Sequence, residues 1–544
     1  MIQNKMDFSM LINRFFRYIS AILVLAGCAR FDDFTTSSDW FNEYDGMQPG
    51  TPTQMYGVLS DGYGTIETSD LTHRMAVLLP LSGDNAAIGK TIRTSVEMAT
   101  LKNAPKNLTV SFYDTAKNLN ETISTVLATN PEIIIGPVFS ADAQALRNAK
   151  PEQLPVLSFT SDADALGDGL MTMNLMPSNG IEAIVREMIS DKVNRFIILA
   201  PDTDSGHLIA GTAKSAADIY DLPLSGIFYY DSANPDSIKS TASRASMHSA
   251  RTAAHTRARQ VLSDILVNEQ LTPIEKSKLH AQLEKLERTE TIGNVPYDAV
   301  LFLGNGDDTK SLASYLRYFD VSARDARFYG TTMWDGSDIA SDTTMVGAKF
   351  ATMPNTNPEF STQYAQISGT VPNRLATFGY DATNMAIGMI YSNKSNAAYL
   401  LDPSGYMGTD GLFRMQPTGA SERALRIMEL DGSGTARESK AAPTNFISPL
   451  YNIEQRHINP AEQMDLETPG IDPDDYLDLP EHLSSKYRSK TIGTNITVAP
   501  TVQKSKIIAI LPEQDDDVIQ TQNFTPIRLE SISRTYIDDY EIYE

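Results

Sequence analysis

An alternation that begins at Met75 dictates the architecture of this chain: short, continuously apolar runs, each followed by a polar turn and then a stretch with helical spacing. The apolar runs fall at 75–79, 108–112, 133–135, 155–159, 195–199, 224–230, 298–303 and 327–329, and the helical stretches near 86–101, 118–129, 141–149, 180–190, 206–220 and 309–319. A strand that is apolar on both faces needs cover on both faces, so this pattern predicts parallel sheets sandwiched between helices. The repeat is too long for one sheet and divides near Pro177. The expected fold is therefore α/β with two doubly wound parallel-sheet lobes, lobe 1 built from 74–178 and 336–410 and lobe 2 from 179–335 and 411–440.

Two interruptions break the pattern. Residues 236–292 read as a helical-hairpin insert in lobe 2, its second helix opening at Thr272-Pro273-Ile274-Glu275. There threonine can cap, proline suits the first turn, and glutamate can return a bond. The first helical stretch of the insert carries Lys239, Arg244, Arg251, Arg257 and Arg259 with His248 and His255. This strip is either a solvated helix face or a docking surface for an acidic partner, with Arg244, Arg251, Arg257 and Arg259 as the docking candidates. From 441 to 544 follows an extended acidic C-terminal tail, expected to be irregular and pinned at a few points. It holds one strand-like run at 506–511 and an acidic cluster at Glu513, Asp515, Asp516 and Asp517.

At the other end, Lys5, Arg14 and Arg17 precede an apolar run at 19–26 that closes in Leu25-Ala26-Gly27-Cys28. The run is shorter than the roughly 18 residues that span a bilayer, so residues 1–27 read as a secretory signal peptide. The last four residues resemble a bacterial lipobox, which implies lipidation of Cys28 and a membrane anchor through its acyl chains. Ala29 in place of an aspartate resembles the pattern sorted to the outer membrane, with the folded part facing the periplasm. Residues 28–72, rich in Asp, Ser, Thr, Gly and Pro, are expected to be a flexible tether.

Charge and motif content exclude several chemistries. With 45 Lys and Arg against 68 Asp and Glu the formal charge is −23, the wrong sign for a protein that binds nucleic acid by neutralising phosphates. One cysteine rules out an internal disulfide framework and Cys-rich metal sites. The stretch Gly83-Asp84-Asn85-Ala86-Ala87-Ile88-Gly89-Lys90-Thr91 has one residue too many between its glycines for a phosphate-binding loop. The seven histidines form no metal-binding pair at helical spacing, and no nucleophile elbow is present. No catalytic residue, metal or cofactor is expected.

Polar residues do recur where strands end and helices begin: Ser82, Ser140, Thr160, Ser161, Asp162 and Ser205. In open parallel sheets such ends face ligands. The competing reading makes Ser140 and Ser205 simple helix caps.

Ile134-Ile135-Gly136-Pro137-Val138-Phe139-Ser140, with Leu78-Leu79-Pro80-Leu81-Ser82-Gly83 before it and Pro155-Val156-Leu157-Ser158-Phe159 after it, resembles the leucine-binding-protein type of periplasmic binding fold, type I, over about residues 74–435. The resemblance implies two lobes joined by three crossings. It also implies a cleft in which Ser140, Thr160, Ser161 and Asp162 hold the carboxylate and amine of an amino acid. Where such binders carry a tyrosine before the glycine of the second lobe, Ser205 precedes Gly206, and the acidic residue expected after Phe328-Tyr329-Gly330 is displaced to Asp335. A narrower segment, Gly411-Leu412-Phe413-Arg414-Met415-Gln416-Pro417-Thr418-Gly419 followed by Glu422-Arg423-Ala424-Leu425, is similar to the closing part of the penicillin-binding protein activators. That resemblance implies a non-enzymatic lipoprotein whose partner is a peptidoglycan synthase. The best-known activators add an N-terminal helical-repeat domain, for which residues 29–71 are too few. The alternative is a solute-binding lipoprotein that captures an amino-acid-like or other small polar ligand for a transporter.

Overall fold

The computed structural model describes residues 49–55, 72–392, 394–446 and 476–491. The signal peptide, Cys28, the tether up to residue 48, the run at 506–511 and the acidic cluster at 513–517 lie outside the described residues.

A short strand β1 (Thr53–Gln54) precedes the first lobe, where the alternation runs β2 (His73–Leu79), α1 (Ala86–Asn103), β3 (Leu108–Asp114), α2 (Leu119–Ala128), β4 (Ile133–Ile135), α3 (Ser140–Ala149), β5 (Val156–Ser158) and β6 (Leu170–Thr172). These strands form an all-parallel sheet in the order β3-β2-β4-β5-β6, with Met75 opposite Ile133 and Ile134 opposite Val156. All three residues of β4 are buried, as a strand covered on both faces requires.

The second lobe continues with α4 (Pro177–Ser190), β7 (Phe196–Pro201), α5 (Asp204–Ile219), β8 (Leu224–Tyr230), α6 (Pro235–Ala245), α7 (His248–Asn268), α8 (Pro273–Glu287), β9 (Ala299–Phe302), α9 (Gly306–Tyr318), β10 (Arg327–Gly330) and β11 (Lys349–Thr352). The chain then returns to the first lobe through α10 (Pro358–Ser368), α11 (Arg374–Tyr391), α12 (Asn396–Leu400), β12 (Tyr406–Gly408), β13 (Gly411–Met415) and β14 (Ser421–Arg423). It ends in β15 (Arg426–Leu430), β16 (Ala436–Lys440) and, in the tail, α13 (Glu481–Thr491). The second sheet has the order β16-β15-β11-β10-β9-β7-β8; its core is parallel, and β15 and β16 close one edge antiparallel.

Three details depart from the sequence expectation. The strand β11 pairs with β10 and β15, so the chain leaves the second sheet after residue 352 rather than at 336. Strands β12, β13 and β14 form a separate four-stranded sheet with β1, and Tyr406, Phe413 and Met415 share a core with Phe378 of α11 and Ile92 of α1. The last passage to the second lobe therefore falls at 424–425, not at 411. Third, part of the expected tether is structured: Thr53 pairs in parallel with Tyr406, and Met55 is buried in that same core. The two lobes are thus joined by three short crossings, at 173–176, 353–357 and 424–425.

The insert is smaller than residues 236–292. Ile238, Ala242 and Ala245 of α6 pack with Leu312 and Leu316 of α9, which makes α6 an ordinary covering helix of the second lobe. The chain breaks at Met247, whose φ of 51° places it in the left-handed region, and the hairpin proper is α7 and α8. Its turn forms as expected: Thr272 Oγ1 accepts from the Glu275 N–H at 3.3 Å and Glu275 Oε2 accepts from the Thr272 N–H at 2.8 Å. Thr272→Ala removes one half of this reciprocal pair. It is expected to cost about 1 kcal/mol locally, read as faster amide exchange in the first turn of α8 with no change at β4.

Candidate functional site

All five first-lobe candidates stand at the C-terminal edge of the parallel sheet, because each follows directly on β2, β4 or β5. The chain reaches that edge between β4 and α3 through Gly136, whose φ is +86° and where a Cβ would lie 2.0 Å from the Leu78 carbonyl oxygen. Only glycine lets these backbones approach so closely. The structure brings Ser140 and Asp162 together: the Ser140 hydroxyl donates to Asp162 Oδ2, and Gln144 Nε2 donates to both, at 3.3 and 3.2 Å. The other Asp162 oxygen accepts from the Asp164 N–H at 3.0 Å, while Thr160 is buried and its hydroxyl accepts from the Asp162 N–H at 3.1 Å. Ser161 is half-buried beside them. Ser82 donates to Asp114 at 2.6 Å. Burial works against the charge of Asp114, but bonds from Ser82, Ala116 and Leu81 outweigh it and hold the carboxyl below its usual range.

This is a self-satisfied arrangement. A ligand carboxylate taken up at Ser140 would have to displace the bond that its hydroxyl makes to Asp162. Ser140 is the first residue of α3, after Phe139 at the cap position, and Ser205 lies inside α5, which is capped by Thr203 accepting from the Gly206 N–H at 3.0 Å. Neither serine is the cap residue. Ser205 instead shares a 3.1 Å hydrogen bond with the Thr203 hydroxyl, and Asp335 is exposed and accepts from Thr352 of β11 at 2.5 Å. Among the described residues, no hydrogen bond links the first-lobe group with Ser205 or Asp335.

The basic strip on the insert does not form one surface. Arg251 is buried, with Nε donating to the Gly293 carbonyl at 2.9 Å, Nη1 to Phe319 at 3.0 Å and Nη2 to Asp320 at 3.3 Å. It fastens the root of the hairpin to the second lobe and is not a docking residue. His255 is likewise buried, with Nε2 2.8 Å from the Leu286 carbonyl oxygen. The spacing carried this information: Arg251, Ala254, His255, Ala258, Leu262 and Ile265 recur at three and four and share the buried stripe of α7. Lys239, Arg244 and Arg259 are exposed and Arg257 is half-buried, with Lys239 and Arg244 on α6 and the other two on α7; Arg244 also lies over the Phe228 ring at 5.9 Å. At the hairpin root, a cavity of about 540 Å³ opens at the N-terminal end of the second sheet, lined by Arg195, Arg251, Tyr297, Asp298 and Arg324 among others.

A buried polar network beside the crossings went unread in the sequence. Asp381 on α11 accepts from the Thr409 N–H at 3.0 and 3.1 Å, and Asp410 is paired with Arg374 at 2.7 Å and accepts from Thr356 of the second crossing at 2.7 Å. Burial, with the Asp410 charge behind it, pushes the Asp381 carboxyl up to about 7. Arg423 lies between the Phe378 and Phe413 rings, 4.3 and 4.9 Å from their centroids, and donates to the Met173 carbonyl of the first crossing. Next to it, Asn179 Nδ2 donates to the Ser421 carbonyl at 3.1 Å and the Ser421 hydroxyl donates to Asn174. These groups tie the crossings to the first lobe.

Two doubly wound lobes, three crossings and polar loops at the sheet edges define a two-lobed binding-protein fold, and the chain belongs to the periplasmic binding protein family, whose model matches residues 72–395. Among curated proteins it is similar to the penicillin-binding protein activator LpoA of Mannheimia succiniciproducens, 28% identical over 147 residues. That match covers 26% of this chain and 25% of the relative, so the chain spans about a quarter of the length of the curated relative it matches. Among solved structures, a Rhodospirillum rubrum protein described as a branched-chain amino acid ABC transporter is 16% identical with a TM-score of 0.50, covering 68% of this chain and all of that one. The C-domain of LpoA from Haemophilus influenzae, described as a regulator of PBP1A, is 17% identical with a TM-score of 0.45 and covers 67% of this chain and 99% of that one.

Proposed function

We propose that this chain is a non-enzymatic envelope lipoprotein, anchored through Cys28 in the outer membrane and facing the periplasm, whose two-lobed body binds and activates a peptidoglycan synthase. The observation that carries this reading is the self-satisfied edge of the first lobe. The residues that would hold an amino acid, Ser140 and Asp162, are bonded to each other and to Gln144. An interaction protein tolerates such an edge, whereas a transport receptor needs free donors for its ligand. The similarity to an activator agrees with it, as does the hairpin α7–α8, which gives the second lobe a surface element beyond its sheet and covering helices.

The test is capture of envelope proteins by the soluble chain from residue 29 onward. A second version replaces residues 256–285 by a short Gly-Ser turn, a cut that leaves Arg251 in place and uses the neighbouring positions of His255 and Leu286. The expected outcome is a peptidoglycan synthase recovered by the intact chain and lost with the trimmed hairpin. Recovery of a transporter permease, or a small polar ligand co-purifying with the cleft, overturns the proposal in favour of solute capture.

A further inference from the structure

The cavity at the hairpin root is built where three strands of the second sheet begin. Arg195 immediately precedes β7, Asp298 immediately precedes β9, and Arg324 lies in the turn that leads into β10, while Arg251 of α7 forms the wall that the hairpin supplies. Backbone bonds hold these entries side by side: the Asp298 N–H donates to the Arg195 carbonyl at 3.0 Å, and the Arg327 N–H donates to the Asp298 carbonyl at 2.9 Å. Neighbouring strands lie about 4.8 Å apart, so the entries of β7 and β10, which flank β9, stand roughly 10 Å apart.

Three arginines and three aspartates line this space, and their bonding needs are met unequally. Asp298 accepts from the Asn194 N–H at 3.0 Å, the Asn194 side chain at 2.9 Å and the Arg195 N–H at 2.8 Å. Asp325 accepts from the Ser322 N–H at 2.8 Å and the Ser322 hydroxyl at 2.7 Å, and Asp320 accepts from the Thr291 hydroxyl at 2.8 Å. Arg251 is fully engaged by three backbone carbonyls. Arg195 and Arg324 differ: both are exposed, and among the described residues neither side chain makes a hydrogen bond or an ion pair. What the lining leaves without a partner is two planar, permanently charged donors, one on each side of the β9 entry.

We propose that this cavity binds a small organic acid with two acidic groups, carboxylate or phosphate, one held by each of Arg195 and Arg324. A guanidinium fork matches two oxygens of such a group, and a volume of about 540 Å³ suits a small molecule. The chain carries a formal charge of −23 and repels anions at long range, so retention depends on this local pair. The cavity opens at the N-terminal end of the second sheet, whereas Ser205 and Asp335 follow the C-terminal ends of β7 and β10. The site is therefore separate from the cleft, and it does not rest on the synthase reading.

Calorimetric titration of the soluble chain from residue 29 onward with succinate, and separately with pyrophosphate, is the test, at low and at physiological salt. The expected result is one saturable site for at least one probe, retained at physiological salt, and the probe that binds assigns carboxylate or phosphate. Arg195→Gln and Arg324→Gln are each expected to weaken binding about tenfold. Arg195→Lys is expected to recover little, because an ammonium has no fork. Both side chains are exposed, so the variants are expected to unfold at the native temperature. In the native chain, the bound probe is expected to slow amide exchange at 294–298 and 320–325 and to leave 136–140 unchanged, which tests the site without any variant. No saturable binding of either probe overturns the proposal. So does binding that both Gln variants leave untouched, and so does weak uptake that disappears at physiological salt, the mark of an adventitious ion only.

Discussion

An Asp381→Asn variant is expected to be increasingly more stable than the native chain as pH rises from about 4 to about 7, with the difference levelling off above that. In the unfolded chain this carboxyl ionises near 3.9, but in the folded first lobe burial and the neighbouring Asp410 charge push it up to about 7. Between those values the folded state holds the proton more tightly than the unfolded state does. Stability is therefore complete below the lower value and falls as pH rises through the window. A shift of about three units corresponds to roughly 4 kcal/mol. Asparagine keeps the shape and an acceptor for the Thr409 N–H while removing the titration. Urea unfolding at pH 4.5, 6 and 8 measures it, and a native-minus-variant difference that does not change with pH contradicts the assignment.

Arg423→Met is expected to destabilise the chain by about 2–4 kcal/mol, from a lost buried hydrogen bond and two lost cation–π contacts. The guanidinium is buried between two aromatic rings, donates to Met173 and offsets part of the Asp381 charge. Methionine fills much of the volume but leaves the Met173 carbonyl without this donor and removes the cation–π contacts. Arg423→Lys is expected to recover little, because an ammonium cannot stack as a plane between rings. Since the residue joins the first crossing to β14, small-angle scattering should show broader lobe separation in either variant before unfolding begins. Thermal unfolding unchanged from the native chain would remove Arg423 from its structural role.

The parallel core was legible because continuous apolar runs such as residues 133–135 admit one interpretation once helices alternate with them. Helix α11 was not, for a physical reason: every residue from Ala376 to Met389 is buried, so its polar residues Thr377, Asp381 and Asn384, spaced four and three apart, do not mark a solvent face as they would on a surface helix. The strands that fix the crossings, β6, β11 and β14, are three or four residues long. Their identity comes from partners far away in the chain. That is why residues 49–55 read as tether, although Thr53 pairs with Tyr406 and Met55 is buried in the main core. At the candidate site, the sequence located the sheet edge correctly, but residue type could not say that Ser140 and Asp162 face each other rather than a ligand. Arg251 shows the opposite failure, since its place in the apolar stripe of α7 was readable and its charge drew attention away from it.

The proposed activity has one direct measurement: the rate of glycan-strand polymerisation by a peptidoglycan synthase from the same cell, reconstituted with the lipid-free chain from residue 29 onward. The account predicts a rate increase that saturates with chain concentration, is lost when residues 256–285 are trimmed, and is unaffected by Ser140→Ala, because the cleft edge takes no part. A rate that does not respond to the chain, together with a small polar ligand bound in the cleft and lost on Ser140→Ala, would contradict it.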